Sequence, residues 1–145
     1  MNGVAAPARL ELDLPATPRG LAQALEVVDA FLRREGVAPG AQGRVLLLLE
    51  EAVMNVAMHG GLDGETQRPA VQLALTLGPD TVALQLEDEG IPFDPRQAPP
   101  PQRPGTLDEA TPGGLGVHLI RSFARSVDYE RREGRNRLTL VLDRG

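Results

Sequence analysis

With 145 residues, 41% of them hydrophobic and 24% charged, the chain is one domain's worth of sequence, able to bury a core without metal or disulfide support. A formal net charge of -5, with both signs interspersed, argues against nucleic acid or a membrane as partner. Cysteine is absent and all 15 Lys/Arg positions are arginine, which excludes a disulfide frame, a thiol nucleophile, a P-loop, a protein-kinase strand lysine and Schiff-base chemistry.

Met1 to Arg9 lacks a basic patch leading into an apolar core, so no signal peptide is expected there. The longest apolar run, Val45 to Leu49, is too short to span a bilayer. A cytoplasmic protein is the expectation. Aromatic residues make up only 3%, so Leu, Val and Ala must build the core.

Leu10, Leu12 and Leu14 alternate with Glu11 and Asp13 and predict a short, half-buried strand. Thr17-Pro18 predicts a helix start, with the threonine as cap and the proline at the first helical position. Leu21, Leu25, Val28 and Leu32 follow at helical spacing, and Gly36 marks the stop. A second helix is predicted from Pro39 to His59, ended by Gly60-Gly61. Two alternating strands come next: Val71, Leu73, Leu75 and Leu77, then Val82, Leu84 and Leu86, joined by a Gly78-Pro79-Asp80 turn. Pro92 to Pro112 is proline-rich and lacks apolar period. Long loops of this kind inside domains are lids or disordered segments. A third helix is predicted from Gly114 to about Ser126, then a hairpin of Val127–Arg132 and Arg137–Leu142 around Gly134. The expected fold is an α+β two-layer sandwich, a mainly antiparallel sheet with three helices on one face.

Three stretches carry candidate chemistry. Glu51, Asn55 and His59 recur every four residues of the second helix, about 40° apart on one stripe. Because Val45 to Leu49 is apolar nearly all round, that stripe either lines a cleft or forms a solvated edge. Asp88 is in strand phase with Val82, Leu84 and Leu86, so an acid points towards the core and needs a specific donor. Gly90 then lets the backbone turn or lets something flat approach, and Asp94-Pro95 alone is a common turn. Gly113-Gly114-Leu115-Gly116 opens an apolar helix. Such glycines either make a tight turn or expose helix-end amides as a phosphate cradle.

Together, Glu51-Ala-Val-Met-Asn55-Val-Ala-Met-His59-Gly60, Asp88-Glu-Gly90-Ile91-Pro-Phe-Asp94 and Gly113-Gly-Leu-Gly116-Val117 resemble the N, G1 and G2 boxes of the histidine-kinase-type (GHKL) ATPase superfamily. The compact form is similar to the anti-sigma-factor serine/threonine kinases of bacterial partner switching. The resemblance runs from about Leu10 to Leu142 and implies a single ATP-binding kinase domain over 1–145 with an ATP lid at 94–113. It implies ATP and Mg²⁺ as ligands, with Asn55 on the metal and Glu51 as the catalytic base. His59, Asp88, Gly90, Ile91, Gly113, Gly114, Leu115, Gly116, Val117 and Thr139 would contact the nucleotide, Asp88 through the adenine amino group. Arg96, Arg103 and Arg121 are candidates for the γ-phosphate. Departures are the proline-rich lid and the missing second glycine of the G1 box.

The resemblance further implies a STAS-type anti-anti-sigma protein as substrate and a sigma factor as second partner. Homodimers are common in the family, through the sheet edge or the first helix. With only His59 and His118 as histidines, a sensor histidine kinase is not expected. The alternatives are a nucleotide-gated binding module that sequesters a partner without phosphotransfer, and an α+β domain without nucleotide.

Overall fold

A computed structural model gives the structure of the chain for residues 8–59, 70–90, 92, 120 and 122–145, the side chains of Met58 and His59 excepted. Seven elements follow in order: β1 (Arg9–Pro15), α1 (Pro18–Arg34), α2 (Pro39–His59), β2 (Ala70–Leu77), β3 (Thr81–Asp88), β4 (Ser126–Arg132) and β5 (Arg135–Asp143).

α1 starts where the cap chemistry places it. Thr17 is extended at φ -127, ψ 161, and its hydroxyl accepts from the Gly20 amide at 3.0 Å, removing one of the unpaired donors of the first turn. The helix closes at Gly36, whose φ of +77 favours glycine. The Gly36 and Val37 amides return to the Arg33 and Leu32 carbonyls at 3.1 and 3.0 Å. Leu21, Ala24, Val28, Phe31 and Leu32 make its buried stripe. In α2, Val45, Leu48, Leu49, Ala52 and Val53 are buried.

The five strands form one antiparallel sheet in the order β1-β2-β3-β5-β4. Alternation decides its two faces. Val71, Leu73, Leu75 and Leu77 of β2, Val82, Leu84 and Leu86 of β3, and Leu140 and Leu142 of β5 are buried, and in register they share one face. α1 lies against β1 and α2, and α2 lies across β3 and β5, so both helices cover that face as a second layer. The opposite face carries Gln72, Glu87, Arg135 and Arg137, ion-paired through Glu87 to both arginines.

β4 and β5 are joined by Glu133 and Gly134 at φ +53 and +78, the two positive φ angles of a type I′ hairpin turn. At the other end of the sheet, Arg144 donates to the Gly78 carbonyl at 2.9 Å and the Glu35 carbonyl at 2.7 Å. This arginine ties the β2–β3 turn to the end of α1.

The third predicted helix needs correction at its end. Ile120, Ser122 and Phe123 are helical and Ile120 is fully buried, but Ser126 belongs to β4, where it pairs with Val141. The ladder already engages the Arg125 amide, which donates to the Val141 carbonyl at 2.6 Å, so sheet pairing takes over before the helix can extend. The start of that helix, Gly114 to Leu119, and the lid at 94–113 lie outside the described residues. Among the described residues, no helix is long and apolar enough to cross a membrane.

Candidate functional site

α2 and the ends of β3 and β5 carry the polar residues that the core cannot explain. Among the described residues, three polar or charged residues are buried in an otherwise apolar interior: Asn55 at 3% exposure, Asp88 at 7% and Asn136 at 6%. Each sits in phase with leucines or valines, so the periodicity that builds the core also turns it inward.

Asn55 is the strongest anomaly. Both Oδ1 and Nδ2 are buried, and neither has a hydrogen-bond partner. Leaving a buried amide unpaired costs about 1–3 kcal/mol, and native interiors seldom tolerate it without a reason. An amide oxygen aimed at no protein donor fits a hard cation, which takes oxygen ligands and keeps waters and phosphate oxygens in its shell. Among the described residues there is no cluster of three or more His, Asp or Glu that could hold a metal by itself. An ion held through Asn55 would complete its shell with oxygens from outside the described residues, such as those of phosphate and water.

One helical turn earlier lies Glu51, half-buried on the same stripe. Burial raises its carboxyl above the ordinary value of 4.5, and the adjacent Glu50 carboxylate adds to the rise. A carboxylate that holds a proton more readily than usual, beside an unpaired amide, suits a general base.

Asp88 ends β3 opposite Asn136 of β5. Its Oδ1 accepts from the Gly90 amide at 2.8 Å and from Asn136 Nδ2 at 3.0 Å. Both bonds fall on Oδ1, and Oδ2 accepts from no described residue. The inward-facing acid thus has its donor, and one oxygen is left to offer. Gly90 is buried and equally engaged: its carbonyl accepts from Arg131 Nη1 at 2.5 Å and from Asn136 Nδ2 at 3.4 Å.

Asn136, Tyr129 and Arg131 were absent from the expected site. For Asn136 the signal was present: it alternates with Leu138, Leu140 and Leu142 as Asp88 does with Leu86, Leu84 and Val82. What the sequence lacked was the register that makes the two partners.

Thr139 is not brought to this site. It pairs with Gln85 of β3 and Asp128 of β4, one residue out of phase with Asn136 and Leu138, so it stands on the face away from the helices. Its expected nucleotide role is withdrawn for that reason. The described hollow bordered by Glu87, Glu130, Arg132 and Arg135 lies on the same outer face and is filled by mutual ion pairs, so it belongs to the solvated surface. His59 is the last residue of α2, its side chain outside the described set. Ile91, Gly113, Gly114, Leu115, Gly116, Val117, Arg96, Arg103 and Arg121 also lie outside the described residues.

Residues 14–142 match the histidine kinase-like ATPase domain family, and the chain belongs to it. That membership defines the class: an ATPase-type domain whose sheet and helices are those described above. Among individual proteins, the chain is 33% identical over 130 residues to the serine/threonine-protein kinase BtrW of Bordetella bronchiseptica, covering 90% of each. Two solved structures share the fold. One comprises the RsbU and RsbW domains of Rv1364c from Mycobacterium tuberculosis, with TM-score 0.63 and 17% identity over 95% of this chain. This chain spans 33% of that longer protein. The other is the SiaB-SiaC complex from Pseudomonas aeruginosa, with TM-score 0.58 and 16% identity over 92% of this chain and 89% of that one.

Proposed function

We propose that the chain is an ATP- and Mg²⁺-dependent protein serine/threonine kinase that acts as an anti-sigma factor and phosphorylates a STAS-type anti-anti-sigma protein. The observation that carries this reading is the buried, unpartnered amide of Asn55, one turn from a carboxylate whose proton affinity is raised. The kinase relative, at 33% identity over nearly the whole chain, supports the same reaction class.

In this reading Asn55 Oδ1 holds Mg²⁺, which when bound draws charge off the phosphate oxygens. Glu51 orients the attacking serine or threonine hydroxyl and takes its proton onto the carboxylate as the new P–O bond forms. ADP departs with the electrons of the broken bond. Asp88 Oδ2 accepts from the adenine amino group, and the Gly90 peptide forms the surface against which the base lies. The amides of Gly113 to Val117 would receive the phosphates, and the 94–113 segment would cover them. Phosphoryl transfer asks for positioning and charge stabilisation more than covalent chemistry, which suits a site without lysine.

The test is incubation with γ-labelled ATP, Mg²⁺ and candidate STAS-domain proteins. Label on a partner serine or threonine, lost in Glu51→Ala while nucleotide binding persists, is the expected result. A protein that binds ATP and its partner but never transfers label would instead be the nucleotide-gated binding module.

A further inference from the structure

The β4–β5 hairpin sends three side chains into one corner of the site. Asn136 lies directly opposite Asp88 across the β3–β5 ladder, and Arg131 lies opposite Asn136 across β4–β5. Tyr129 is two residues along on the same face of β4, and its hydroxyl donates to Asn136 Oδ1. The amide therefore has a determined orientation: Oδ1 towards the tyrosine hydroxyl, Nδ2 towards Asp88 Oδ1 at 3.0 Å and the Gly90 carbonyl at 3.4 Å. The reverse orientation would set an amide oxygen against two acceptor oxygens and turn an N–H₂ group to the tyrosine.

The consequence falls on Asp88. Two N–H donors, from Gly90 and Asn136, converge on its Oδ1, so the group is held as an acceptor with Oδ2 pointing free of described donors. Arg131 holds the Gly90 carbonyl from the other side at 2.5 Å, so carboxylate and peptide form one buried unit. An acceptor fixed in this way pairs with an exocyclic amino group. It opposes a keto oxygen, which would leave two acceptors facing each other with no proton between them. Sites built around a required hydrogen bond discriminate far more strongly than sites that read shape.

We infer that the β4–β5 hairpin, through Asn136 held by Tyr129, is the specificity element of the nucleotide site, fixing Asp88 as an acceptor so that 6-aminopurine is taken over 6-ketopurine. The inference rests on the adenine contact proposed for Asp88. Asn136 is a positioning residue here, acting through Asp88 and Gly90. A purely structural role, closing the end of the sheet, predicts the same contacts but a different response of base choice.

The experiment is calorimetric titration of the whole chain with ATP and with inosine triphosphate, which differ at purine position 6. The parent prefers ATP. In Asn136→Leu, ATP affinity falls about ten- to a hundredfold, the scale of one lost hydrogen bond to a charged group, and the ATP-to-ITP preference collapses towards parity. Tyr129→Phe leaves the packing and removes only the hydroxyl that orients the amide, so the preference falls by a smaller factor in the same direction. This variant keeps the test decisive should Asn136→Leu fail to fold.

An Asn136→Leu or Tyr129→Phe protein that is less stable yet keeps the parental ATP-to-ITP ratio would overturn the inference. A parent that binds ATP and ITP alike, or an Asp88→Asn variant with undiminished ATP affinity, would overturn the adenine reading beneath it.

Discussion

Replacing Asn55 by leucine separates the stability of this protein from its function. Leucine has the same branching and number of side-chain heavy atoms as asparagine but asks for no hydrogen bond. The asparagine is 3% exposed, with both polar atoms buried and unpartnered, so the substitution removes a desolvation penalty of about 1–3 kcal/mol and returns nothing to be paired. Without nucleotide, Asn55→Leu should therefore be more stable than the parent by about that amount, raising Tm by about 3–10 °C for a domain of this size. With Mg²⁺ and ATP the gap should narrow. A ligand at a hundredfold excess over its Kd stabilises its protein by about 2.7 kcal/mol, and only the parent keeps the metal-dependent share of that gain. The assay is urea or thermal unfolding of both proteins with EDTA, with ATP alone and with ATP-Mg²⁺. An Asn55→Leu protein less stable than the parent by more than about 1 kcal/mol in EDTA would refute the reasoning, because the amide would then have a partner.

Glu51→Gln should retain nucleotide and lose phosphotransfer by about 10²–10⁴-fold, the range for a positioned base. In the parent the raised Glu51 carboxyl places the acid limb of the transfer rate above the ordinary glutamate value of 4.5. A group raised in the folded state adds stability below its unfolded value and loses that contribution as pH rises through the folded one. Glu51→Gln should thus be the more stable protein at neutral pH, the gap closing as pH falls below 4.5; unfolding curves across that range check both sign and window. Thr17→Ala should cost about 1 kcal/mol by removing the cap on the Gly20 amide, read as a lower urea midpoint. Gly20→Ala should cost about 1–3 kcal/mol of strain, because a Cβ there would come within 2.3 Å of the Pro15 carbonyl oxygen; an unchanged midpoint would show that the chain before α1 yields freely.

The strands, both long helices and the inward turn of Asp88 were legible because each depends on neighbours two to four residues away. Alternation at period two assigns Val82, Leu84, Leu86 and Asp88 to one face wherever the strand ends up, and Thr17-Pro18 starts a helix by local capping alone. The end of the third helix was read too far because Ser126 is taken by a partner, Val141, fifteen positions on, which no local pattern contains. Thr139 was misassigned by the same kind of gap. Its residue type suited a nucleotide contact, while its register against Gln85 put it on the wrong side of the sheet.

Sequence alone therefore determined the periodicities, the caps and the inward phase of Asp88, and left open whether the Glu51–Asn55 stripe lines a cleft or is solvated. The tertiary structure decided that β5 inserts between β3 and β4, and with it the meeting of Asn136 with Asp88, the reach of Arg131 to Gly90 and the isolation of the Asn55 amide. Hydrogen bonds between residues more than 40 positions apart arise only when strand order and register bring their backbones within a few ångströms, and that choice belongs to the whole sheet.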